Sequence, residues 1–529
     1  MRRIIDINVK RRYSWTMTAR RVHVLGGGPA GLFVARLLAL RCPGWHVHVY
    51  ERNPPEETFG FAIGLTGGLL RALEEADPDM HRSITDAAYR FSSSGFRLPQ
   101  GEARLGRFHS GAIARTHLLR LLLKGAREAG VRVEIGRSCT VTEVLGDADL
   151  VIAADGVSSA TRNHFRQEFG AQVTPGRGRL IWCGAEVPLD GGIFMPVTTP
   201  DGLFVAHGYP YGEGLSSFVI DASASTLARA GLGGRQWAGE GESDEAALEY
   251  LSRAFSELLG GGSFIGNRSR WGWFNTVRCT RWHHGKTVLL GDAAATAHPS
   301  LGSGTKIAME SAIALVDAVT TLTDEPVSGA LERFEAARRP EVERLQERAT
   351  RSQLWWESFE VRRHLAPARM AVSYLSRSGA VSLDDLAVSD PQLVRLALVD
   401  FADVAPSEVP GSGITDWVLD RPLAAQRHRQ SGTAEPTASI EVTSGDAWGL
   451  AADEVLAQAR EFLRQGVHAI RLTGVDSRSG LLDRLAIGER IKTELSAVVE
   501  VTASPEHLRH AADGIVAGRA DLVRTGDGS

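Results

Sequence analysis

Gly26, Gly28 and Gly31 form a G-x-G-x-x-G run that encloses Pro29 and Ala30, and Glu51, followed by Arg52, stands twenty residues past Gly31. Such glycines permit a tight turn and close backbone approach. A pyrophosphate can then sit on free N–H groups at a helix N-terminus while the acid accepts from a ribose, so the run predicts dinucleotide binding. Two further acids stand beside glycines, in Asp155-Gly156 and Gly291-Asp292. His298, next to Pro299, carries a ring that is near half-protonation at physiological pH, which makes it a candidate acid or base; the alternative is a histidine that shapes a turn. Gly302, Gly304, Thr305 and Lys306 follow. A helix starting there would aim N–H groups at negative charge developing in front of it. Arg268, Arg270, Arg278 and Arg281 are candidates for bidentate phosphate contact, against the alternative of solvated surface arginines.

These residues need elements to position them. A strand over 22–25, a helix over 32–40 and a strand over 47–50 make a βαβ opening around the glycines. Strands over 150–154 and 287–290 end at Asp155 and at Gly291-Asp292. From 179 to 274 the pattern is strand-rich, which predicts a domain inserted into the first. Residues 326–404 read as helical, and 405–438, rich in Pro, Ser, Gly and Thr, as a surface linker. The resulting division is a basic disordered tail at 1–21, a dinucleotide domain at 22–178 and 275–325, a substrate domain at 179–274, the helical region, the linker, and a last α/β segment at 439–529.

Composition narrows the class. The 529 residues are 43% hydrophobic and 23% charged with a net charge of -4, values of an ordinary globular protein of several domains. No basic stripe suits nucleic acid, and no apolar run of about 20 residues suits a membrane span. The tail lacks the apolar core of a secretory signal, with Met17 as a possible start, and Cys42, Cys139, Cys183 and Cys279 show no metal-ligand spacing. A cytoplasmic location is expected.

The two later segments, LVIAADGVSSATR at 150–162 and TVLLGDAAATAHPSLGSGTKIAME at 287–310, resemble further fingerprints of the group A flavoprotein hydroxylases. The resemblance implies FAD as the dinucleotide, NADPH or NADH as co-substrate, and an aromatic-hydroxylase fold: a Rossmann-like FAD domain with an inserted β-rich substrate domain. It implies that Asp292 holds the ribitol, that Asp155 and Arg162 lie near the pyrophosphate and the nicotinamide entry, and that Arg115 contacts the cofactor. The reaction implied is O2 activation as a flavin C4a-peroxide that oxygenates an electron-rich ring, in a site that excludes water.

TFGFAIGLTGGLL at 58–70, NRSRWGWFNTVRCTRWHHGKTVLLGDAA from Asn267 and GSGTKIAMESAIAL from Gly302 are similar to the salicylyl-CoA 5-hydroxylase and 2-aminobenzoyl-CoA monooxygenase branch. That likeness covers about residues 22–404 and implies an aromatic acyl-CoA substrate. Ala295 and Ser311 depart from it, standing where the branch has His and Asp, and Lys306 stands where the wider group has Asn. REFLRQGVHAIRLTG, RIKTELSAVVEV and SPEHLRHAADGIVAGRADLV resemble the last third of an old-yellow-enzyme barrel. About 90 residues cannot close a ring that needs roughly 250. The remnant is therefore expected to lack flavin chemistry and to serve packing or homodimerisation.

Trp271-Gly272-Trp273 imitates a halogenase W-x-W but continues into Phe274 and Asn275. Ring hydroxylation stays ahead of two alternatives: flavin-peroxide oxygenolysis of the thioester, and oxygenation of a ring-expanded, tropone-type ester in secondary metabolism. A non-catalytic FAD-binding partner protein is the reading from another class.

Overall fold

The computed structural model describes residues 19–233, 241–322, 326–423, 427–430 and 437–525. Most of the basic tail lies outside them, and Arg21 already belongs to the first strand.

That strand, Arg21–Leu25, pairs in parallel with His46–Glu51 on one side and Leu150–Ala153 on the other. Arg132–Ile135 and Thr287–Leu289 extend the parallel ladder, and His283–His284 adds one antiparallel edge. Val22, Val24, Val49, Leu150, Ile152 and Val288 are almost wholly buried, as a parallel sheet covered on both faces requires. The helices Pro29–Arg41 and Gly304–Thr320 pack side by side against it. The first carries proline in its first turn, where no intrahelical N–H partner is lost.

The inserted region makes a larger sheet than the sequence predicts. Arg179–Ala185, Gly192–Thr199, Gly202–Gly212, Leu215–Ala222 and Phe264–Gly266 join Ala62–Leu65, Tyr89–Leu98 and Gly101–Ala114, so the sheet takes three of its eight strands from the N-terminal segment. Alternation sorts its side chains. Ile181, Cys183, Phe204, Ala206, Phe218 and Ile220 turn to one face and pack with Leu248, Leu251 and Phe255. The intervening residues, among them Trp182, Val205, His207, Tyr209, Ser217 and Asp221, therefore share the opposite face. Trp355, Trp356 and Phe359 cover one end of it around Val205.

Residues 326–404 carry the helices Val327–Glu357, Pro367–Ser376, Leu383–Ser389 and Pro391–Ala402. The expected linker is a correction. Ile414–Leu419 is a helix whose Ile414, Val418 and Leu419 are buried, and His428–Arg429 is a strand. Apolar residues spaced four apart anchor this stretch despite its turn-forming composition. His428–Arg429 lies at the edge of a five-stranded parallel sheet with Leu522–Thr525, Val498–Ala503, Ala469–Thr473 and Thr437–Glu441. This C-terminal sheet is open and shares one core with the helices at 383–419. Among the described residues no helix is long and apolar enough to cross a membrane, and all four cysteines are free.

Candidate active site

Three turns converge at the C-terminal ends of the first sheet. Gly26 takes φ +102°, and a Cβ there would collide with the Ala154 carbonyl; one on Gly31 would collide with the Gly26 carbonyl. Both positions need glycine because strand, turn and helix meet at backbone distance. Gly28 caps the helix and opens onto free space. Glu51 accepts from Gly27 N at 2.5 Å and from Asn53 N at 2.8 Å, so its carboxylate first of all fixes the glycine turn, with lone pairs left over for a ribose. Arg52 follows it, exposed.

At the second turn Asp155 Oδ2 accepts from Thr161 N at 3.0 Å, while Oδ1 is buried without a partner. Arg162 is buried and donates to the carbonyls of Val157 and Ala293, at 2.6 and 3.2 Å. Those two bonds tie the second turn to the third. There Asp292 reaches solvent, yet protein surrounds it on most sides. Desolvation in this cleft floor raises its carboxyl, and Arg115 opposes the rise. Arg115 donates to Thr58 Oγ1 at 2.9 Å and lies 4.4 Å from the centroid of the Phe59 ring. Gly302 is left-handed, at φ +61°, and ends the short turn Pro299–Leu301. The long helix starts at Gly304, with Ser303 Oγ buried and unpartnered before it. Thr305 and Lys306 form its first turn, and Lys306 Nζ lies 3.7 Å from Glu310.

These features fit a bound dinucleotide. The cleft combines a helix start facing open space, a buried carboxylate oxygen and a buried hydroxyl lacking partners, and an accessible acid on its floor. Each is a group that a ligand's donors and acceptors would satisfy.

His298 caps the short turn Pro299–Leu301 that leads to Gly302 and is 4% exposed. Its Nδ1 is 2.9 Å from Ser300 Oγ, and its ring meets Phe274 edge-on at 5.1 Å. Burial depresses the imidazole to about 4; Asp221 opposes this, while His207 and Arg377 add to it. The ring is therefore neutral at physiological pH, not half-protonated as its type alone predicts, because a buried site disfavours the cation. Buried Gln346 holds the loop in place by donating to the carbonyls of Val277 and Thr296.

Asp221 and His207 belong to the second face of the large sheet, so the histidine turn and that face look toward each other. His207 Nε2 and Asp221 Oδ2 are 2.6 Å apart, and Trp356 lies over His207 at 4.1 Å. Tyr209 donates to the Ala62 carbonyl at 3.0 Å, and burial pushes its phenol up to about 12. Sequence reasoning missed His207, Tyr209 and Asp221. Their only signal is alternation within the strands, which a solvent-facing row would also give.

The structure does not gather the four candidate arginines around one partner. Arg268 pairs with Glu57 at 3.3 Å and Arg270 donates to the Glu242 carbonyl at 2.6 Å. Arg278 donates to Thr350 Oγ1 at 3.0 Å, and Arg281 is exposed.

Residues 19–349 match the family described as FAD binding domain. The chain belongs to that family. It is an FAD-dependent monooxygenase. The salicyloyl-CoA 5-hydroxylase of a Streptomyces species is 38% identical over 376 residues, which are 70% of this chain and 72% of the relative. The 3-hydroxy-4-methyl-anthranilyl-[aryl-carrier protein] 5-monooxygenase of Streptosporangium sibiricum is 34% identical over 368 residues, 69% of this chain and 97% of the relative. A solved structure of 2-methyl-3-hydroxypyridine-5-carboxylic acid oxygenase superposes with a TM-score of 0.52 at 22% identity, covering 68% of the monooxygenase and 96% of that protein. The aromatic-hydroxylase fold is thus shared.

Proposed function

We propose that the monooxygenase uses NAD(P)H and O2 to hydroxylate an aromatic or related ring presented as an acyl thioester on CoA or on a carrier protein. The observation that carries this reading is that two relatives above 30% identity are named for aryl thioesters on different carriers. What they have in common is the ring and its activated acyl group. The chain's cleft suits such a ring, with neutral His298 on one side and the face bearing His207, Tyr209 and Asp221 on the other.

In this reading Gly26, Gly28, Pro29, Ala30, Gly31, Glu51 and Arg52 hold the adenosine and pyrophosphate half of FAD. Asp292 holds the ribitol, Arg115 and Asp155 flank it, and Arg162 acts by tying two turns together. The turn from Gly302 to Lys306, with Pro299 before it, faces the ring system. When bound, FAD supplies the redox chemistry, accepting hydride from NAD(P)H and activating O2. The chain orients the substrate and excludes water: Trp355, Trp356 and Phe359 close one end of the sheet face. Tyr209, with its phenol held protonated, stays bonded to the Ala62 carbonyl and braces this face. Arg268, Arg270, Arg278 and Arg281 stand as contacts for the carrier's phosphates at the surface.

The experiment is to follow NAD(P)H oxidation by the FAD-loaded enzyme with aryl-CoA esters, aryl-carrier-protein esters and free acids, identifying products by mass. A product heavier by one oxygen with its thioester intact is expected. Free CoA with label from 18O2 in the carboxylate would replace hydroxylation by oxygenolysis, and turnover of free acids alone would sink the thioester reading.

A further inference from the structure

Arg377 follows the helix Pro367–Ser376 and is 8% exposed. Its guanidinium lies 3.7 Å from the Tyr374 ring centroid. Each of its described hydrogen bonds goes to an uncharged oxygen: Nε to Ser352 Oγ at 2.7 Å, one Nη to the Ser300 carbonyl at 3.2 Å, the other to the Tyr374 carbonyl. The chain of contacts continues inward. Ser352 Oγ is 2.7 Å from Ser300 Oγ, and Ser300 Oγ is 2.9 Å from His298 Nδ1.

A guanidinium has hydrogens to give and no lone pair to accept with. Ser352 thus receives from Arg377 and keeps a hydrogen that is available to Ser300, whose own hydrogen is available to His298. The sense of the chain is set at the histidine, where a backbone N–H can only donate. The backbone N–H of Ser300 reaches the same Nδ1 at 3.4 Å, a longer contact of the same sense. Both arrivals need a lone pair on Nδ1, which leaves the ring hydrogen on Nε2, and each bond in such a chain polarises the next.

The relay is braced from behind. A cavity of about 40 Å³ lies between Arg377 and the C-terminal segment, lined also by Arg362, Glu489 and Arg519. Arg519, 5% exposed, donates to the Ser373 carbonyl at 2.8 Å, on the helix that leads to Arg377. The α/β segment at 437–525 therefore helps to keep the relay's first donor out of water.

We propose that Arg377 is a positioning residue of this active site: acting through Ser352 and Ser300, it fixes His298 as the neutral Nε2–H tautomer, so that the histidine offers a donor and not a base. The use of that donor rests on the ring-binding reading above; the tautomer does not. Ser352 and Arg377 both lie beyond residues 19–349, so the helical region would complete a site that the FAD-binding domain begins. The charged or titratable groups acting on the imidazole are Asp221 and His207 from the sheet and Arg377 from the helical region.

The test is NMR on FAD-loaded enzyme with 13C- and 15N-labelled histidine rings, in which His298→Asn removes one of 16 ring signals and so assigns it. The wild-type ring is expected to be neutral with its hydrogen on Nε2 across the range in which free histidine titrates. In Arg377→Gln its midpoint is expected to rise, because a cation that opposes protonation of the ring is gone. In Ser352→Ala, which keeps the cation but cuts the relay, the ring is expected to populate the Nδ1–H form. A wild-type ring bearing Nδ1–H, or one unmoved in both variants, overturns the proposal. General unfolding would disturb all the histidine signals together, and either variant suffices if the other does not fold. Failure of the thioester reading would appear as absent turnover and leave this spectrum unchanged.

Discussion

The described residues form two α/β sheets built on parallel strands, and they differ in whether their strand ends are shaped to hold a nucleotide. In the first, strand ends at Leu25, Ala153 and Leu289 give way to glycine turns, and the crevice above them is open. In the C-terminal sheet the corresponding place is filled from within. Arg484, 1% exposed, lies across the strand ends and donates to the carbonyls of Val475 and Thr502, at 2.9 and 3.1 Å. Fully buried Glu500 is held between Arg471 and Arg524 from the neighbouring strands. A parallel sheet therefore supplies a switch-point crevice only as a possibility, and the residues at its strand ends decide whether a ligand or a side chain occupies it.

The comparison can be broken at either sheet. Gly31→Val puts a branched side chain against the Gly26 carbonyl. It is expected to cost at least about 3 kcal/mol of FAD affinity, a hundredfold or more, read as flavin lost on gel filtration. Retention of a full complement of flavin would remove the glycine turn from the site.

A second test uses acid. The His298 ring is held near 4 against 6.5 when unperturbed, so the unfolded chain binds the proton more readily in that interval. The stability linked to the neutral ring is present above about pH 6.5 and is lost as pH falls toward 4, by up to about 3 kcal/mol. Denaturant titrations at several pH values should show this slope in wild type and a shallower one in His298→Asn.

Arg484→Met should leave two carbonyls of the C-terminal sheet without their donor. A loss of about 2 kcal/mol in stability is expected with FAD content unchanged, measured by denaturation and flavin absorbance on the same samples. Flavin loss here would mean that the two sheets are not separable in function. The smallest effect belongs to the contact between Arg177 and Asp446, two half-exposed residues joined at 2.6 and 2.8 Å. Asp446→Ala should cost no more than about 1 kcal/mol and should be masked by salt.

Much of the site was legible because its parts are local. The glycine turn, Asp155, Asp292 and the start of the helix at Gly304 each depend on a few consecutive residues, and the structure sets them around one cleft. The arginines at 268–281 were less legible, since their proximity in sequence does not fix a common partner. Two errors share a cause. The stretch 405–438 has a linker's composition, yet three apolar residues bury its helix, and the substrate sheet borrows strands from 62–114, a pairing that no local pattern announces.

By itself the sequence determined dinucleotide binding, because backbone requirements such as those at Gly26 and Gly31 are written in residue type, while the flavin and the reaction family came from the resemblance carried by residues 150–162 and 287–310. Tertiary structure alone decided what faces the cleft. Alternation cannot tell a ligand-facing row from a solvent-facing one, so His207, Tyr209 and Asp221 gained meaning only once the sheet lay opposite His298. The state of His298 was likewise decided by burial and by a chain of contacts that runs from Ser300 through Ser352 to Arg377. Those partners lie up to 79 residues away in the chain, and only packing brings them to one imidazole.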